Sequence, residues 1–145
     1  MQLTQHTDFA LRTLIALSVN APEKMTTQEL ADAYSISVHH LNKVVQHLSA
    51  LGYVETIRGK NGGIRLAQSP ESIRVGDVVR QTEAELGVVA CLRQGGEECT
   101  IDGACRLKRA LARATEQFIG GLNEHTLADI AKPRTKLIQL LALEA

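Results

Sequence analysis

The chain is 145 residues long, carries 16 Lys+Arg against 16 Asp+Glu, and is 44% hydrophobic. That length suits one domain, or one small domain plus an appendage, and that hydrophobic fraction can bury a core, which excludes a disordered chain. No apolar run approaches the ~18–20 residues of a membrane span, and Met1-Gln2-Leu3-Thr4-Gln5-His6-Thr7-Asp8 has neither the basic region nor the apolar stretch of a secretory signal, so a cytoplasmic protein without membrane contact is expected.

In chain order, Phe9, Leu11, Leu14, Ile15, Leu17 and Val19 recur with helical periodicity, which predicts a helix over 4–19 with Thr4 as N-cap. Ala21-Pro22-Glu23-Lys24 is a loop. Thr26 with Glu29 three residues on makes a capping box for a short helix ending near Tyr34. Ser35-Ile36-Ser37 is a tight turn. A second helix over about 38–51 places Leu41, Val44, Val45, Leu48 and Leu51 on one face, with Gly52 where a C-cap belongs. Tyr53 to Arg58 alternates as a strand, Gly59-Lys60-Asn61-Gly62-Gly63 turns, and Ile64-Arg65-Leu66-Ala67 returns. Helix, tight turn, helix and hairpin in that order are the plan of a winged helix-turn-helix. A short helix begins near Ile73. Residues 87–105 are glycine-rich and irregular. A long helix over about 106–122 carries Leu107, Leu111, Ala114, Phe118 and Leu122 as one apolar stripe. A last helical stretch over about 126–143 breaks near Pro133. The expected fold class is therefore mainly α: a winged helix-turn-helix domain (1–80), a cysteine loop region (81–105), and a dimerisation helix with a C-terminal segment (106–145).

The second helix of such a unit enters the major groove with its N-terminal residues against base edges. Here these are Ser37, His39, His40, Asn42, Lys43 and Gln46, short or flexible hydrogen-bonding side chains. The wing adds Arg58, Lys60, Asn61 and Arg65. The formal net charge of zero argues mildly against nucleic acid, but it is a sum of unlike segments. Residues 36–67 hold Lys43, Arg58, Lys60 and Arg65 against Glu55, a net of +3 without three histidines; residues 81–105 hold Arg93 against Glu83, Glu85, Glu97, Glu98 and Asp102, a net of −4. Double-stranded DNA is the expected partner. No CxxC, nucleophile elbow, P-loop or GxGxxG points to an enzyme.

The three cysteines cluster as Cys91-x7-Cys99-x5-Cys105. Structural zinc normally takes two close pairs of ligands. Three thiolates on a glycine-bearing loop (Gly95, Gly96, Gly103) suit an iron–sulfur cluster, whose irons are held chiefly by Cys. A four-iron cluster needs one further ligand. Buried free thiols, a metal-free redox switch, and zinc completed by a distant His or Asp remain alternatives. Asp8 alone reads as a first-turn acid favoured by the helix dipole. Arg12, one turn later, is placed to pair with it or to be an ordinary surface base.

The opening Leu3-Thr4-Gln5-His6-Thr7-Asp8-Phe9-Ala10-Leu11-Arg12, the wing Arg58-Gly59-Lys60-Asn61-Gly62-Gly63-Ile64-Arg65-Leu66, and Cys99-x5-Cys105-Arg106-Leu107 resemble the iron–sulfur winged-helix regulators of the NsrR and IscR types, over nearly the whole chain. IscR-type members place a histidine ligand two residues after the third cysteine, where this chain has Leu107; NsrR-type members have an aspartate near the start of the first helix, as at Asp8. The resemblance implies a homodimeric repressor of palindromic operator DNA with nitric oxide as signal. It implies a [4Fe–4S] cluster on Cys91, Cys99 and Cys105 with Asp8 of the partner subunit as fourth ligand and Arg12 orienting it; His6 is a further possible ligand. Nitrosylation of the cluster would release the operator. The alternative is an IscR-like sensor of iron–sulfur or redox status with a [2Fe–2S] cluster. The gap from Cys91 to Cys99 is longer than is common in NsrR-type members.

Overall fold

In a computed structural model, which describes residues 2–143, the first helix is α1 (Gln5–Asn20). Thr4 caps it as the sequence predicts, its hydroxyl accepting the Thr7 N–H at 3.3 Å. Ala10, Leu14, Ala16, Leu17 and Val19 of α1 are all but inaccessible, because the helix is packed on several sides. It contacts α2 (Thr27–Tyr34), α3 (Val38–Ala50), α4 (Val75–Thr82), α6 (Leu127–Ile130), α7 (Arg134–Leu140) and the second strand of the hairpin. Each fully buried leucine contributes about 1.5–3 kcal/mol, so α1 is the main pillar of the core.

The helix-turn-helix forms as expected. The Thr26–Glu29 capping box closes, with Thr26 N–H donating to Glu29 Oε2 at 2.6 Å. Ser35 turns the chain in a left-handed conformation, φ +53°. Leu41, Val44, Val45 and Leu48 bury one face of α3, and Gly52 at φ +78° lets the chain leave the helix, a conformation that disfavours a side chain. The wing pairs β1 (Val54–Ile57) antiparallel with β2 (Gly63–Leu66), Val54 opposite Leu66 and Glu55 opposite Arg65. Met25 bridges to Ile64, fixing the hairpin to the loop before α2.

The apolar stripe of the long helix α5 (Arg106–Asn123) is not closed against the rest of the chain. Of the helix's apolar residues only Ile119, outside the predicted stripe, is fully buried. Leu107 is 64% exposed, Ala114 is exposed, and Leu111, Phe118 and Leu122 are half-buried. The reason is that α5 meets the body chiefly through α4. That contact is close: a Cβ on Gly76 would lie 2.4 Å from the Ile119 carbonyl oxygen, so only glycine fits. Asn123 then caps α4, accepting the Asp77 N–H at 2.9 Å and donating to Asp77 Oδ1 at 2.8 Å. Arg80 grips Glu116 through two nitrogens, at 2.6 and 3.2 Å. The C-terminal stretch splits at Pro133 into α6 and α7, and Arg134 donates to the Val19 and Ala21 carbonyls at 2.7 and 3.0 Å, capping α1.

Candidate nucleic-acid interface and metal centre

Burial of Leu41, Val44 and Leu48 turns the opposite face of α3 outward, and His39, His40, Asn42, Lys43 and Gln46 are all exposed on it. Ser37 is exposed too, but its hydroxyl accepts the His40 N–H at 3.2 Å, so it caps the helix as well as standing at its reading end. On the wing, Arg58, Lys60 and Asn61 are exposed; among the described residues their side chains, like that of Lys43, make no ion pair. Arg65 differs. It pairs with Glu55 directly across the hairpin, which offsets its charge toward a phosphate. The alternation that predicted the hairpin did not fix the register that sets these two residues opposite each other.

The face of α3 that meets α1 carries contacts absent from the sequence reading. His6 Nε2 and His47 Nδ1 lie 2.8 Å apart, one ring donating its N–H to the other, with ring centroids at 5.1 Å. Burial, and then the neighbouring His47, hold His6 below its usual value, while Glu83 acts in the opposite direction. His6 is thus engaged on α3. Phe9 lies near His40, centroids 6.3 Å apart. Glu83, just past α4, accepts the Thr4 N–H at 2.7 Å and the Thr4 hydroxyl at 3.1 Å. These partners are 41 and 79 residues apart, so no local pattern could have announced them.

Asp8 lies in the first turn of α1 and is 45% exposed; Arg12 binds both its oxygens, at 3.0 and 2.9 Å. The same guanidinium sits 5.9 Å from the centre of the Tyr34 ring. Of the two readings of Arg12, the pairing one describes the structure.

The cysteine segment has two 3-10 turns, Ala90–Leu92 and Asp102–Ala104. Cys91 and Cys105 are half-buried and Cys99 is exposed. Cys105 is the N-cap of α5, its sulfur accepting the Lys108 N–H at 3.3 Å. Lys108 donates to Asp102 Oδ1; that bond raises the ammonium's pKa, with smaller upward contributions from Cys91 and Cys105. Both sulfurs therefore lie within electrostatic reach of one ammonium. Among the described residues no three His, Cys, Asp or Glu side chains are gathered closely enough to hold an ion. The donors are nonetheless chemically suited to iron and sulfide: soft thiols, two of them half-sheltered, one at a positive helix end. No helix among the described residues is long and apolar enough to cross a membrane.

A sequence-family model described as "Rrf2: Iron-dependent Transcriptional regulator" matches residues 3–133. The HTH-type transcriptional regulator NsrR of Geobacillus kaustophilus (strain HTA426) is 49% identical over 142 residues, spanning 97% of each chain. The regulator of the same name from Bacillus subtilis (strain 168) is 41% identical over 145 residues, spanning 99% of each. Among solved structures, CymR, the global cysteine regulator of B. subtilis, superposes with a TM-score of 0.70 at 24% identity, covering 90% of this chain and 96% of its own. IscR of T. potens gives 0.71 at 20% identity, covering 100% and 93%. At those identities the two structures support the mainly helical, winged-helix fold, and the full-length relatives identify a DNA-binding transcriptional regulator rather than an enzyme. The chain belongs to the Rrf2 family of iron-dependent transcriptional regulators.

Proposed function

We propose that the chain is a cytoplasmic, homodimeric repressor that binds a palindromic operator and releases it when nitric oxide nitrosylates a [4Fe–4S] cluster. The cluster ligands are Cys91, Cys99 and Cys105, with Asp8 of the partner subunit as the fourth. The observation that carries this reading is the pairing of full-length likeness to NsrR regulators with a half-exposed aspartate on the first turn of the helix that supports α3. When bound, the cluster supplies an iron whose hard carboxylate ligand is weaker than its thiolate neighbours, the corner most open to nitric oxide.

The chain's own residues do the rest. The Lys108 N–H at the start of α5 holds the Cys105 sulfur in place. Arg12 fixes the direction of the Asp8 carboxylate by holding both its oxygens. The half-exposed stripe of Leu107, Leu111, Phe118 and Leu122 forms the dimer contact and sets two reading heads about one helical turn apart, roughly 34 Å. Asn42, Lys43 and Gln46 meet base edges, while Arg58, Lys60 and Asn61 hold the backbone. Residues 1–80 thus read DNA, 81–105 hold the cluster, and 106–145 join the subunits.

Anaerobic reconstitution tests the reading. The wild-type chain is expected to become brown with four irons per subunit, and Asp8→Ala to give a changed or labile spectrum. Colourless protein with stoichiometric zinc, or an Asp8→Ala spectrum and sensitivity equal to wild type, contradicts it. The latter would favour the [2Fe–2S] alternative, for which Leu107 supplies no ligand.

A further inference from the structure

We propose that His6 and His47 form the joint through which the first turn of α1 sets the position of the reading helix. The proposal rests on the sensing function above and names its transmission within one subunit. The two rings make a direct bond at 2.8 Å between the start of α1 and the last turn of α3. His6 lies half a turn before Asp8, so any shift of that turn caused by gaining or losing a ligand at Asp8 displaces the His6 ring with it. The same turn is fastened on its other side, where Glu83 accepts both the N–H and the hydroxyl of Thr4. Glu83 begins the segment that carries the cysteines. Three parts of the molecule are therefore linked in series by side chains: the root of the cysteine segment, the first turn of α1, and the C-terminal turn of α3.

The rest of α1 cannot follow such a shift. Its middle and end are buried, and Arg134 holds its last carbonyls. Movement is confined to the first turn, where Thr4 and Gln5 are exposed. On α3 the displacement enters at His47 and pivots the helix about Leu41, Val44 and Leu48, which are buried. Residues 39–46 at the reading end then change their angle to the groove. His6 and His47 are positioning residues: they touch neither base nor ligand, and they act through the helices they join. A small local shift becomes a useful change in DNA affinity when the packed elements have two discrete arrangements.

The test uses full-length protein and an operator duplex selected from random-sequence DNA by the wild type. Operator affinity is measured for the cluster-loaded and chelator-stripped forms, with the visible spectrum of each loaded sample as a second readout. His6→Phe and His47→Phe keep a packed ring and remove the bond. Each is expected to keep the spectrum and to reduce the loaded-to-stripped affinity ratio at least about fivefold, the lower end of usual allosteric couplings. The double variant should be no worse than either single one. His6→Gln, whose amide nitrogen falls near the lost Nε2, should recover most of the ratio. A purely structural role would lower both affinities in equal proportion and leave the ratio unchanged, and that outcome overturns the joint alone, as does loss of the spectrum in His6→Phe. Equal affinities for loaded and stripped wild type overturn the sensing reading, and the joint with it.

Discussion

Single side chains in the reading surface have separable duties. Lys60 and Arg58 stand at the wing with no ion-pair partner among the described residues, so in the proposed interface their contribution is to phosphate and is sequence-blind. Lys60→Ala is expected to weaken binding to every duplex alike and to reduce the slope of log affinity against log salt by about 1. Asn42→Ala should instead cost ~1–3 kcal/mol at one operator position and relax discrimination there. Fluorescence anisotropy titrations over a salt series and a set of single-base operator changes distinguish the two; a salt slope in Lys60→Ala equal to that of wild type would remove the wing from the interface. Arg65 should matter less than its neighbours, since Glu55 already pairs with it.

Elements were legible where the signal was local. Thr4 and Thr26 each cap the helix they precede, as their positions announce, while Ser37 caps α3 from a segment that reads as a turn; the alternation of residues 53–67 gave the hairpin to within a residue. The stripe on α5 was equally visible, but its environment was not: periodicity reports an apolar face without saying what covers it, and of the apolar residues of α5 only Ile119, off that stripe, is fully buried against the body. Contacts between elements, such as Asn123 on Asp77 and His6 on His47, depend on chain paths that spacing does not encode. Leu111→Glu puts a charge on the stripe, away from Ile119, and should weaken the dimer at least about 30-fold, the ~2 kcal/mol of an interface hot spot, with helix content by circular dichroism unchanged. Sedimentation at graded concentrations measures it; an unaltered dimer would move the interface elsewhere. In α6, Thr126 donates its N–H and hydroxyl to Asp129 and holds that carboxyl down from 3.8 to about 2. Because the folded value is the lower one, the cap's stabilisation is complete above the ordinary value and is lost as pH falls toward about 2. Between those limits the thermal midpoint of wild type should fall more steeply than that of Asp129→Asn; parallel curves would show that the cap contributes nothing.

At the scale of the whole molecule, neutrality conceals a division of labour. The basic reading head and the acidic cysteine segment cancel in the sum, yet charges more than about 8–10 Å from a phosphate are largely screened at physiological salt. In the proposed dimer, binding is then governed by the local patch and by the spacing of two heads, and modest non-specific affinity is expected to make it depend on geometry. That dependence suits the proposed mechanism, in which the signal acts on the first turn of α1 and a small change of angle at α3 would release both half-sites together. The direct test is an anaerobic nitric oxide titration of the reconstituted dimer, following visible absorbance and operator binding in one sample. The account predicts that operator release follows the loss of cluster absorbance over the same range of added nitric oxide. Full operator binding after the absorbance has been abolished would contradict it.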